Sequence, residues 1–315
     1  MKKKLFLLAV IPLMMSALTG CEKKAKWNIG VIQWVPIDAL TKATNGFKKA
    51  VKAGLGSENV TFEVKNPQAD SSAASSIVST FISKNKSLIM ANATPSVTLS
   101  ATATATIPIV GTSVTSYEAA FNGKIPENVT GTSDLADLQK QAEMIFDWVP
   151  NASKIGVLYC SAEPNSKFQY DHIKEELNKL RSGLTITEIT FSTTEELTMV
   201  LSSKVNSLDV LYVPTDDTCA NNAKSIHNIC KNANLPVIAG EAGICAECGL
   251  ATMSIDYYHL GELTGKMAVD ILKNGKKPKD MPIQYDTSLA KLYNATILAE
   301  LGMSEEQIPE GYEAL

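Results

Sequence analysis

From residue 28 the chain alternates short β-rich runs with stretches of helical period, and at residue 154 the alternation starts again. NIGVIQW (28–34) leads into residues 37–53, where Leu40, Thr44, Phe47 and Val51 recur at helical spacing. VTFEVKN (60–66), SLIMA (87–91) and IPIVGTS (107–113) read as strands, with helices over 71–83 and 96–105 between them. The second round holds KIGVLYC (154–160), TITEITF (185–191), LDVLYVPT (208–215), LPVIAGE (235–241) and GLATMSI (249–255), separated by helices over 166–181, 193–206 and 219–233. Parallel strands need a crossover, commonly a helix, so this order specifies α/β structure with parallel sheets. Two rounds specify two Rossmann-like lobes, each a parallel sheet flanked by helices, with a cleft between them. A helix over Tyr257–Asn274 stops at Gly275, and a strand PIQYDT (282–287) and a closing helix over 289–301 end the chain.

The N-terminus fixes the compartment. Lys2, Lys3 and Lys4 precede an apolar run over 5–15, well short of the roughly 20 residues that span a bilayer. LTGC (18–21) then resembles the lipobox of bacterial lipoproteins. That resemblance implies a signal peptide over 1–20, a diacylglycerol on Cys21 and a lipid-anchored, solvated tether over 21–26. The chain would then meet the membrane through its anchor only. A net charge of −4, scattered lysines and a lone arginine, Arg181, lack the basic footprint of a nucleic-acid binder.

Ligands of open α/β sheets bind beyond the carboxyl ends of the strands, where helix N-termini face the cleft. Those ends are Gln33 and Trp34; Ala93 and Thr94; Ser113 and Val114; Ser161, Asn165 and Ser166; Asp216; and Glu241. The segment NATPSVTLSATATATIPIVGTSVTS (92–116), which looks like a linker, supplies two of these loops around a small-residue helix. Arg181 falls at a helix end far from all of them, so a ligand carboxylate would be held by N–H groups and by hydroxyls such as Thr94, Ser161 and Ser166, with Asn165. Asp216, with Glu241 second, would receive an ammonium group. Thr94 and Asp216 could equally cap helices, and Trp34 could stack on a ligand or pack within a lobe.

No GxSxG, HExxH or P-loop occurs, so nothing in the sequence points to an enzyme. His172, His227 and His259 are scattered, and the CxxC in GICAECG (243–249) has no second pair, which argues against a metal or other cofactor. An exported chain permits a Cys245–Cys248 disulfide, stiffening a loop.

The lipobox, IGVIQW (29–34), the Ala93-Thr94-Pro95 turn, NVTGTSD (128–134), KIGVLY (154–159), YVPTDDT (212–218) and SIDYYHLGELTGKMAVDILKNGKKP (254–278) occur in one order. That order resembles the substrate-binding lipoproteins of ABC importers with a type I periplasmic-binding fold, in the branch that includes binders of tryptophan and other aromatic amino acids. The resemblance implies three crossings between lobes, the first in NVTGTSD. It places lobe 1 at 27–131 plus 256–281, and lobe 2 at 132–255 plus 282–315. It also implies an extracytoplasmic monomer that captures an aromatic or large apolar amino acid, such as tryptophan, tyrosine or phenylalanine, for a permease and an ATPase. A ligand-sensing lipoprotein without a transport role, or a binder of a nucleoside or other small solute, is the alternative.

Overall fold

The computed structural model describes residues 25–286 and 288–315; the signal segment and Cys21 lie outside the described residues. The first sheet contains β1 (Trp27–Gln33), β2 (Val60–Lys65), β3 (Leu88–Asn92), β4 (Ile109–Val114) and β5 (Val129–Ser133). Their spatial order is β2-β1-β3-β4-β5, and every pairing is parallel. The connecting helices are α1 (Asp38–Leu55), α2 (Ser71–Ser83), α3 (Thr94–Ala103) and the short α4 (Tyr117–Ala120). β3, β4 and β5 are buried along their whole length, as expected of parallel strands covered on both faces. Edge strand β2 is half exposed.

After α5 (Leu138–Trp148) a second sheet repeats the pattern with β6 (Lys154–Cys160), β7 (Thr185–Phe191), β8 (Val210–Val213), β9 (Val237–Ala239) and β10 (Ala251–Ile255). Its helices are α6 (Pro164–Leu180), α7 (Thr194–Ser202), α8 (Asp217–Asn221), α9 (Ala223–Asn232) and α10 (Ala242–Cys248). The chain then returns to the first lobe. There α11 (Tyr257–Asn274) lies along α1, and β11 (Gln284–Tyr285) pairs with β5. It finishes on the second lobe with β12 (Leu289–Tyr293), α12 (Ala295–Glu300) and β13 (Glu313–Ala314), β12 running antiparallel to β10. Two α/β lobes built on mainly parallel sheets are the architecture that the alternation specified.

α1 and α11 meet backbone to backbone. A Cβ on Gly261 would stand 2.0 Å from the Ala43 carbonyl oxygen, and one on Gly46 would stand 2.0 Å from that of Tyr258. Only glycine fits at either position. The pair buries Phe47, Val51, Met267, Ala268 and Ile271 against the first sheet, so the start of α11, where the chain re-enters lobe 1, is firmly held.

Four local expectations change. β5 continues through Ser133, and β11 belongs to the first sheet, so 132–133 and 282–286 lie with lobe 1 and not lobe 2. Residues 289–293 form a strand, not the start of a closing helix. Leu289, Leu292, Leu298 and Leu301 do recur at helical spacing, but the open edge of β10 recruits the segment, a tertiary override of local pattern. The helix expected over 219–233 breaks at Asn222, whose side chain donates to the Thr218 carbonyl at 2.8 Å and competes with the backbone ladder. GICAECG is α10, not a loop.

Candidate functional site

Two strained backbone positions mark lobe 1. Ala93 has φ 83° and ψ 154°, a region that disfavours any side chain. Ser113 has φ 54° and sits where the β4–β5 register shifts between Gly111 and Val114. Such a bulge re-aims a side chain at the end of a strand. The Ser113 hydroxyl is buried without a hydrogen-bond partner, as is that of Ser96 in the first turn of α3. No side chain caps α3, and Thr94 is its first residue, so Thr94 is not a cap. At these strand ends lobe 1 therefore offers hydroxyls and an uncapped helix start.

The other lobe 1 nominees are committed elsewhere. Gln33 donates to the Val35 carbonyl and to Thr41, both at 3.0 Å, and accepts from Thr44 at 2.8 Å. Trp34 and Val114 pack in the apolar cluster with Val78, Phe81 and Tyr117.

Lobe 2 is acidic. Asp216 is 1% exposed and accepts from the N–H of Cys219 at 2.7 Å and of Cys160 at 2.8 Å, so it caps α8 and ties that helix to β6. Glu241 caps α10 through the N–H groups of Gly243 and Ile244. Glu163, which the sequence reading passed over, begins α6 but does not cap it. Its carboxylate instead accepts from the Asp217 N–H at 3.0 Å, the Thr218 N–H at 2.9 Å and the Thr218 hydroxyl at 2.6 Å. Asn165 donates toward Ser166, and its side-chain oxygen is buried without a partner. Ser161 donates to the Phe191 carbonyl at 3.0 Å. Ser166 is buried beside Asp216.

Asp217 differs from its neighbours. Among the described residues no hydrogen bond or ion pair reaches its carboxylate. The residue keeps some surface, yet burial of its carboxyl is the largest cause of a strongly raised pKa, followed by the charges of Glu163, Asp216, Asp134 and Glu241. Burial also raises Glu163, with the Asp216 charge adding to it. Each of these carboxyls makes the others harder to ionise, and a cation among them would relieve the repulsion. The one clue to Asp217 in the sequence is its place beside Asp216 in YVPTDDT; which acid caps and which does not depends on backbone geometry.

The crossings close the site from behind. Asp134, just after β5, is 5% exposed, accepts from the Tyr257 hydroxyl at 3.1 Å, and leaves its second oxygen buried and unpartnered. Burial lifts its carboxyl to about 6. His259 Nδ1 lies 2.9 Å from Asp286 on the third crossing. Across the front, α4 lies against α6 and α1 approaches α10. On the α1 side a cavity of about 670 Å³ runs between Pro36–Ala39 of lobe 1 and Asn222, Lys224, Glu241 and Gly243 of lobe 2.

The expected Cys245–Cys248 bridge is not formed. Both thiols are free and buried in α10, packed with Cys219 and Cys230 in the apolar core of lobe 2. Burial raises all of them, Cys230 to about 12. The segment needs no staple, because Glu241 caps α10 at one end and Asn294 donates to the Cys245 and Ala246 carbonyls at the other. Among the described residues no cluster of side chains is suited to a metal ion, and no helix is long and apolar enough to cross a membrane.

The sequence profile of the ABC transporter substrate binding proteins matches residues 28–310. The chain belongs to that family. This is a family of solute-binding proteins and not of enzymes, and the two lobes have its type I periplasmic-binding fold. This family member is 34% identical to a tyrosine-binding protein of Clostridioides difficile, across 96% of its own length and 93% of the relative's. Its structure superposes with a TM-score of 0.86 on an ABC domain from Streptococcus pneumonia in complex with L-Trp, at 28% identity over 92% of this chain and 100% of the other. Against the ligand-free, open structure of a substrate binding protein with adhesive properties from Clostridium difficile, identity rises to 38% over 92% and 99% of the two chains, while the TM-score falls to 0.70.

Proposed function

We propose that this substrate-binding protein captures a zwitterionic amino acid with an aromatic or large apolar side chain, with tyrosine and tryptophan the leading ligands. It would deliver this solute to an ABC permease driven by its ATPase. Substrate-binding proteins of ABC importers work outside the cytoplasm, and the lipobox-like LTGC at 18–21 supports tethering through a lipidated Cys21. The observation that carries the ligand class is the difference between the strand ends of the two lobes, unpartnered hydroxyls and an uncapped helix start on lobe 1 and a carboxyl without a hydrogen-bond partner, Asp217, on lobe 2. In this reading the ligand carboxylate lies against Thr94, Ser113 and the start of α3. The ammonium group lies against Asp217, in place of the Asp216 contact expected from sequence, and takes up the excess negative charge of the lobe 2 acids. Closure is favoured because each lobe holds one end of the same molecule.

Calorimetric titration of residues 25–315 against the twenty amino acids, nucleosides and sugars tests this. Saturable binding of tyrosine, tryptophan or phenylalanine is expected. Binding of nucleosides or sugars with none of any amino acid contradicts the ligand class.

A further inference from the structure

The uncapped start of α6 is a consequence of where Glu163 points. Both α3 and α6 begin with proline near the first position and no side-chain cap, so either helix start could receive a ligand carboxylate. Glu163 distinguishes them. It is 4% exposed, it leaves its own helix unserved, and it spends its carboxylate on Asp217 and Thr218. Two results follow. The TDDT loop is clamped to the AEPNS loop, and an acidic group, ionised once a cation joins it, is fixed beside the α6 start. The corresponding position before α3 is Ala93, and the first turn of α3 holds no acid.

Building on the amino-acid reading above, we infer that Glu163 is a specificity-determining positioning residue: its bonds to Asp217 and Thr218 make lobe 2 receive the ligand's ammonium group and turn away its carboxylate. The groups facing it are Asp216 and Asp217 on the loop before α8 and on α8 itself, Cys160 on β6 and Cys219 on α8, with Asp134 and Glu241 facing Asp217. No salt bridge among the described residues brings a cation to this set, Lys42 of α1 acts on Glu241 only without an ion pair, and one oxygen of Asp134 is buried without a partner. An ammonium ion fits such a setting and a second carboxylate does not.

The test compares L-tyrosine with 3-(4-hydroxyphenyl)propanoate, which lacks only the amino group, by calorimetry on wild type, Glu163→Gln and Glu163→Asp. Wild type is expected to prefer L-tyrosine by about 100-fold. Glu163→Gln is expected to shrink that preference by about 10-fold or more, while Glu163→Asp, which keeps an ionisable carboxyl, retains most of it. A purely structural role predicts that Glu163→Gln weakens both compounds by the same factor, and that result overturns the inference. Should Glu163→Gln not fold, the wild-type preference is decisive: equal affinity for the two compounds overturns the inference, and preference for L-tyrosine that grows from pH 6 to pH 8 supports it. If wild type binds no aromatic amino acid, the amino-acid reading fails and this inference falls with it. An unchanged preference in a variant that still binds L-tyrosine overturns the inference alone.

Discussion

Tyr257, the first residue of α11, donates its hydroxyl hydrogen to Asp134 at 3.1 Å and so joins the second crossing between the lobes to the first. Because α11 is locked on α1 by glycine contacts, this bond fixes the hinge from the lobe 1 side. Tyr257→Phe removes the hydroxyl that donates to the Asp134 carboxyl and is expected to destabilise the protein by about 1–3 kcal/mol. The loss should be larger at pH 8 than at pH 5, since the ionised carboxylate depends on the donor more than the neutral acid does. Denaturant unfolding of both proteins at the two pH values checks this.

The acids of the cleft reverse the usual pH dependence. Burial holds Asp134 at about 6 and Glu163 at about 8, above their ordinary values, so the empty native state keeps protons that the unfolded chain has released. Stability must then fall as pH rises, at about 1.4 kcal/mol per pH unit for each proton held. Ion-paired carboxyls such as Glu63, lowered to about 2, act in the opposite direction but only below about pH 5. The denaturation midpoint of the empty protein is expected to drop between pH 5.5 and pH 8, and a rising midpoint would contradict the buried acidic cluster.

Asp216 and Asp217 are adjacent, but substitutions should separate them. Asp216→Ala removes a cap and strands the buried N–H of Cys160, for a loss of about 2–4 kcal/mol in stability. Asp217→Asn leaves the backbone bond from residue 217 to Glu163 intact and relieves repulsion, so stability should hold or increase. Its affinity for L-tyrosine should fall by about 10- to 100-fold, as for a lost charge-assisted hydrogen bond. Thermal unfolding and calorimetry together distinguish the two.

These two residues also show how far the sequence could be read. The alternation of strands and helices is a local property of each segment, so both lobes and all six loops at the strand ends were legible. Thr94, Ser113 and the lobe 2 acids all fall within or beside those loops. What was not legible depends on contacts distant in sequence. Trp34 and Asp216 found structural partners, the edge of β10 drew residues 289–293 into a strand, and Glu163 reached across to α8 instead of capping α6. Side-chain direction at a loop is set by the neighbouring loop, and one segment alone does not contain it.

The cysteines give an independent check on the second core. Cys160, Cys219, Cys230, Cys245 and Cys248 are all free and buried, and burial holds each thiol above its ordinary pKa. Buried neutral thiols react slowly. A thiol reagent should leave native residues 25–315 unmodified at neutral pH and label five cysteines after denaturation. A reducing agent should not shift the melting temperature; a clear drop would reveal a disulfide.

A crystal structure of the complex with L-tyrosine tests the central claim most directly. The account predicts closed lobes, the ligand's ammonium group within hydrogen-bond distance of Asp217, and its carboxylate against Thr94, Ser113 and the start of α3. A ligand bound the other way round, with its carboxylate at the start of α6 and no acid at its ammonium group, would contradict it.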